Sequence, residues 1–272
     1  MDTKALRQIA YERRLEVLEM VYRTGSGHIG GDMSCMDALV TLFYEVMDVE
    51  KRKENAPDAD HFILSKGHCA EALYTVLADC GFFPKERLQT YAQFGTKLAE
   101  HPTHGLEGID VATGALGHGF SVACGMALGK KRDKTPGHIY TLMGDGEQAE
   151  GSVWEAVMFA AKYKLDNLTA IVDRNHLQIS GTTEEVMPLG DLGARYAVFG
   201  WNVAGCSGHD YAAMKEAFLT RVPGKPTAII LDTVKGKGSP IMENKAEWHH
   251  LIPNESQYEA IRADLLRTAE EG

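Results

Sequence analysis

An aspartate between two glycines, Gly144-Asp145-Gly146, directly follows the apolar run HIYTLM, and Asn175 directly follows a second run, LTAIVDR, thirty positions further on. Asp-Gly alone is a common turn dipeptide that needs only tolerance of positive φ. If the two runs are adjacent parallel strands, both side chains stand at one sheet edge. They then offer hard oxygen ligands suited to Mg²⁺ or Ca²⁺, with a backbone carbonyl near Leu177 as a third. Three protein oxygens leave an octahedral ion open to phosphate, and the helix start at Gly151-Ser152 adds free N–H groups and a positive dipole end. Histidines recur in the neighbouring segments: His28 in GSGHIGG, His68 in SKGHC, His101 in HPTHG and His249 in AEWHH. Imidazoles, with an ordinary pKa of about 6.5, suit proton transfer near neutral pH.

The elements that must position these groups alternate. Leu6, Ile9, Ala10, Val17, Met20 and Val21 lie at helical spacing over residues 4–22, with Gly25 as the stop. Ser34 followed by Asp37 predicts, as a capping box, the start of a second helix before ALVTLFYEVM. After a charged connector come HFILS with CAEALYTVLADCG, HIYTLM with SVWEAVMFAAKYK, and LTAIVDR with a loop and LGARYAVFG. WNVAGC with DYAAMKEAFLTR follows, then TAIILDTV before a glycine-bearing loop and the helix ESQYEAIRADLLRTA. Short apolar strands alternating with longer helices predict an α/β fold, a doubly wound and mostly parallel sheet with helices on both faces. No Pro/Ser-rich linker divides residues 1–272, so one domain is expected. Ligands of such sheets bind outside the carboxyl ends of the strands, where SKGHC, GDGEQAEG, NHLQISG and KGKGSPIMENKAEWHH fall.

Composition narrows the setting. The chain has 28 Lys plus Arg against 38 Asp plus Glu, a formal charge of −10, and no basic run, which argues against a nucleic-acid partner. Its five cysteines are odd in number and form no CxxC pair, as expected of reduced thiols in the cytoplasm. The N-terminal MDTKALRQIAYERRLEVLEM lacks the apolar core of a secretion signal, and no apolar run approaches the ~18 residues of a membrane span. A cytoplasmic protein without a membrane partner is expected.

A GDG followed after about thirty residues by Asn resembles the thiamine diphosphate fingerprint, and the flanking segments resemble the transketolases in particular. GSGHIGGDMS at 25–34 is similar to their SGHPG segment, and LSKGHCAEALY at 64–74 to LSxGHA. HPTHGLEGIDVATGALGHG at 101–119 is similar to HP…TTGPLGQG, and TVKGKGSPIMENKAEWHH at 233–250 to TxxGxG…HG. The segments occur in the same order from the first helix nearly to the C-terminus.

That resemblance implies the diphosphate-binding domain of the thiamine diphosphate-binding fold. It implies that Asp145, Asn175 and the Leu177 carbonyl hold Mg²⁺ (or Ca²⁺), and that the Gly146 amide, His68 and His249 contact the diphosphate. Gly114 and Leu116 would approach the aminopyrimidine, and Glu150 would communicate between cofactor sites across a dimer. His28, His68, His101 and His249 would line the channel for transfer of a two-carbon ketol unit from a ketose to an aldose. Full-length transketolases are more than twice as long. The pyrimidine-binding and C-terminal domains have no counterpart here, so the resemblance implies the N-terminal subunit of a split enzyme. Its partner would be a C-terminal subunit of about 300 residues carrying the pyrimidine-binding domain, in an α2β2 assembly. Pentose phosphates are the default small sugar substrates, with a sulfosugar or a branched sugar phosphate as alternatives. His118 stands where the family commonly has Gln, His250 where it commonly has Gly, and Ile29 where it commonly has Pro. The two histidines suit a site tuned to another substrate and the isoleucine a different local loop geometry, while His104 and His176, like His118 and His250, read as intermediate between solvated and site residues. His61, His138 and His209 read as structural or solvated, and Lys235 and Lys237 as either phosphate contacts or a solvated loop. A 2-oxo acid dehydrogenase α subunit would share GDG and Asn but not these histidines; a binding module without catalysis would not need them. A Rossmann oxidoreductase would need GxGxxG after its first strand.

Overall fold

The computed structural model describes residues 1–270. The chain begins with α1 (Thr3–Thr24), α2 (Ile29–Glu45) and the short α3 (Val49–Lys53). Then β1 (His61–Leu64) leads to α4 (Ala70–Asp79) and α5 (His118–Asp133). β2 (Ile139–Gly144) is followed by α6 (Gly151–Lys162), and β3 (Leu168–Arg174) by α7 (Thr183–Val186) and α8 (Leu192–Val198). β4 (Asn202–Ser207), α9 (Tyr211–Leu219), β5 (Thr227–Asp232) and α10 (Glu255–Glu270) complete the order.

All five strands are parallel, in the order β1-β2-β3-β5-β4. The two central runs are buried nearly throughout because helices cover both faces. Successive strand residues face opposite ways. Ile171 and Leu142 therefore join a core with α1, α2, α4, α9 and α10, while Ala170, Val172 and Met143 join one with α5, α6 and α8. Each fully buried aliphatic side chain contributes about 1.5–3 kcal/mol. The reversal of strand order between β3 and β5 opens a crevice at their carboxyl ends, as expected of a doubly wound sheet.

α1 matches its expected limits: Asp2 caps it by accepting from the Ala5 N–H at 2.7 Å, and Gly25 ends it at φ 67°. The expected start of the second helix fails, and a helix stands at His118–Asp133 where none is expected. α2 begins at Ile29, with His28 at its cap, so Ser34 and Asp37 lie inside the helix. Both side chains are claimed by distant partners instead of the helix's own N–H groups. Ser34 Oγ donates to Asp173 at 2.6 Å, and Asp37 accepts two bonds from Arg14, at 2.8 and 2.9 Å, and others from His209 and Tyr211. α5 was not anticipated, since Gly119, Gly125 and Gly129 each weaken an isolated helix by about 1 kcal/mol relative to alanine. Packing of Phe120, Ala123, Cys124 and Ala127 on the sheet holds it.

Candidate active site

The ends of β2 and β3 meet in register, Gly144 opposite Asp173, and the Asp145 N–H donates to the Asp173 carbonyl at 3.1 Å. Asp145 is only 2% exposed. Its carboxylate accepts the Gly146 N–H at 2.8 Å and the His176 N–H at 2.6 Å. His176 adopts φ 65°, a left-handed conformation uncommon outside glycine, in the loop that turns this N–H inward. Asn175 is also buried; its Oδ1 accepts the Leu177 N–H at 3.2 Å and its Nδ2 donates to Ser34 at 3.4 Å. Burial, then the nearby Asp173, pushes the Asp145 carboxyl up to about 6 despite its two backbone donors. A carboxylate so placed is stabilised by a cation, and the oxygen-rich set of Asp145, Asn175 and Leu177 fits a hard divalent ion. Asp173 already has its partners: Lys66 in an ion pair, Ser34 and Thr233.

These groups form one side of a cleft of about 460 Å³. Gly146 and Glu150 lie with them, Gly114 and Leu116 line a further stretch, and His28, His68, His249, Lys66 and Lys235 complete the wall. The ring centres of His28, His68 and His249 are 5.2–5.6 Å apart. His101 is 5.7 Å from His28 but faces an adjoining recess beside Glu100. A side chain at Gly114, φ 157°, would sit 3.3 Å from the His101 ring, and one at Gly31 would strike Cys69 Sγ at 2.7 Å. The second absence lets the start of α2 approach the SKGHC loop.

Across the cleft from Asp145, imidazoles and lysines crowd one another. Burial and Lys66 hold His68 well below its ordinary value. Burial and Lys235 take His249 down to about 3, and burial and the neighbouring His250 take His28 to about 4. Burial and Lys66 lower Lys235 to about 8. Lys235 Nζ lies 2.9 Å from His249 Nδ1; a protonated lysine donates, which leaves the proton of neutral His249 on Nε2. Gln178 Nε2 and His28 Nδ1 are buried without a hydrogen-bond partner among the described residues, at a cost of about 1–3 kcal/mol for each unsatisfied group. An anionic ligand fits both Lys235, which has a histidine and, among the described residues, no carboxylate beside it, and the orphaned Gln178 donor.

Glu147 ties the loops together. It accepts Ser65 Oγ at 2.5 Å, the Gly117 N–H at 2.7 Å and the Gly144 N–H at 3.1 Å, joining the segments after β1, before α5 and at the end of β2.

The remaining expected contributors have other partners or face solvent. Glu150 is exposed at the start of α6, and the Gly146 amide is engaged by Asp145. His104 is exposed, His118 is exposed with its ring 3.2 Å from the Leu116 carbonyl, and His176 pairs with Asp232 at 2.7 Å. His250 sits near Glu100. His61 bonds Asp110, His138 bonds Thr169 and His209 bonds Asp37, all structural contacts. The sequence reading gave no part to Lys66, Asp173, Glu147 or Gln178. One signal was present: an aspartate closing a buried apolar strand demands a buried cation.

Residues 5–265 match the family model for the transketolase thiamine diphosphate binding domain. One apulose-4-phosphate transketolase subunit, from Phocaeicola vulgatus, is 46% identical over 265 residues, 96% of this chain and 94% of that protein. A 6-deoxy-6-sulfo-D-fructose transketolase subunit from a Clostridium species is 42% identical over 253 residues, 91% of each. The solved transketolase of Campylobacter jejuni superposes with a TM-score of 0.85 at 27% identity, covering 100% of this chain and 47% of the other. The chain thus spans about half the length of that solved relative. With a family match over nearly all of its residues and similarity to two subunits along almost their whole length, the chain belongs to the transketolase family, as its thiamine diphosphate-binding part.

Proposed function

We propose that this chain is the N-terminal subunit of a split transketolase, a single diphosphate-binding domain that transfers ketol groups only with a C-terminal partner. One observation carries the reading: Asp145 and Asn175, at the ends of adjacent strands, face a cluster of three histidines across one cleft. Asp145, Asn175 and the Leu177 carbonyl would hold Mg²⁺ (or Ca²⁺), while Lys235, Gln178, His68 and His249 would meet the diphosphate. The Gly146 amide would join them once the metal draws the Asp145 carboxylate from it. Gly114 and Leu116 would let the ring approach closely. Thiamine diphosphate, when bound, supplies the nucleophilic carbon that attacks a ketose carbonyl. His28 and His101 would accept and return protons at the sugar hydroxyls; burial and His250 hold His28 at about 4, so its imidazole is neutral at pH 7 and free to accept. Glu150, exposed at the start of α6, would face the second cofactor site across a dimer.

The partner would supply the pyrimidine-binding domain and the carboxylate that activates the ring, in an α2β2 assembly in the cytoplasm. Similarity to an apulose-4-phosphate transketolase subunit and a 6-deoxy-6-sulfo-D-fructose transketolase subunit supports a donor with an anionic far end, a ketose phosphate or a sulfonated ketose. Titration calorimetry of thiamine diphosphate into the assembled subunits tests the reading: binding should require the divalent ion. Equal affinity with and without Mg²⁺ would contradict it.

A further inference from the structure

At the mouth of the cleft, His28, Glu100 and His250 converge from three segments: the cap of α2, the irregular chain after α4, and the residue after a 3-10 turn at Ala246–His249. One ligand atom from each lies within 4.8 Å of the others. His250 Nε2 is 3.8 Å from Glu100 Oε2, and the His28 and His250 rings are 4.7 Å apart at 75°. His28 Nδ1 is buried and has no hydrogen-bond partner among the described residues. Ser26 Oγ donates to the other Glu100 oxygen, Oε1, and so leaves Oε2 turned to His250. Metal-ligating carboxylates carry outer hydrogen bonds of this kind.

Two imidazoles and a carboxylate suit zinc and similar late first-row cations, whereas Mg²⁺ prefers oxygen donors. Donors about 2.0–2.2 Å from zinc lie roughly 3.4 Å from one another in a tetrahedron. To reach that value from the observed spread, the exposed His250 and the half-buried Glu100 would turn toward His28.

We propose that His28, Glu100 and His250 form a three-ligand site for a zinc-class divalent cation, distinct from the oxygen site of Asp145 and Asn175. Its fourth position is open to water or a substrate oxygen. On the functional reading above, the bound cation occupies His28 and narrows the channel mouth, so zinc inhibits the assembled enzyme.

The test is zinc affinity of the metal-stripped full chain, measured by competition with a chromophoric chelator in excess Mg²⁺ and reducing agent. The partly exposed thiols Cys80 and Cys206 remain as a common background. One equivalent should bind, His250→Gln and Glu100→Gln should each weaken it at least tenfold, and His104→Gln should leave it unchanged. Circular dichroism checks that each variant is folded. Wild-type affinity in both cluster variants would overturn the site, as would an equal loss in His104→Gln. Because the readout is binding rather than turnover, either result leaves the cofactor reading to its own test.

Discussion

Asp145 sits where a turn aspartate and a metal ligand look alike in sequence, and its surroundings separate the two. A turn aspartate needs no burial, yet Asp145 is buried beside Asp173, between two backbone donors. A charge-assisted contact contributes about 1.5–3 kcal/mol, roughly 10–100-fold in affinity. Asp145→Ala should therefore weaken metal-dependent thiamine diphosphate binding at least tenfold in calorimetry, and unchanged affinity would restore the plain turn. Lys235→Met should also weaken diphosphate binding about tenfold, with a shallower dependence on salt than wild type. Asp145 and Asn175 were legible because their spacing placed them at the ends of two apolar runs, and the four histidines because the segments that carry them resemble those of the transketolases. Lys235 was only half legible, because a lysine in a glycine-bearing loop reads equally as a phosphate contact or as solvated. Its burial comes from α2, whose Gly30 has no Cβ to strike the Trp248 carbonyl at 2.5 Å or crowd Lys235 Cε at 3.3 Å. No local pattern encodes that approach.

Two carboxylates decide how the elements hold together. Glu147→Ala would strand the donors of Ser65, Gly117 and Gly144, and each buried orphan costs about 1–3 kcal/mol. A loss of at least about 2 kcal/mol in urea denaturation is expected, with little effect from substitutions at the exposed Glu155. Asp37 joins α1, α2 and α9 through Arg14, His209 and Tyr211. Burial alone would raise its pKa, but Arg14 and the hydrogen bonds hold it well below the usual carboxylate range. A folded pKa below the unfolded value of about 3.9 means that the stabilisation is complete above that pH and is lost as pH falls further. Wild type should thus lose stability steeply below pH 4. Asp37→Asn should be weaker by about 3–5 kcal/mol at pH 7 and lose less on acidification, as acid titrations followed by circular dichroism would read. The strands were legible as unbroken apolar runs. The start of α2 and the whole of α5 were not, because distant partners claim Ser34 and Asp37, and sheet packing outweighs three glycines.

At the scale of the molecule, the loops at the carboxyl ends of the strands gather into one cleft. The cleft gathers metal-type oxygens, imidazoles and lysines, while the chain matches only 47% of a solved transketolase. The alternation of strand and helix made the sheet and its two covered faces legible. The strand order was less so, since it depends on β5 entering between β3 and β4. The central claim is that these residues hold a cofactor which another chain must help to activate. The most direct measurement is ketol transfer, with thiamine diphosphate, Mg²⁺ and a ketose phosphate donor, by the purified chain with and without its C-terminal partner. The account predicts no turnover by the chain alone and turnover on adding the partner; comparable turnover by the chain alone would contradict it.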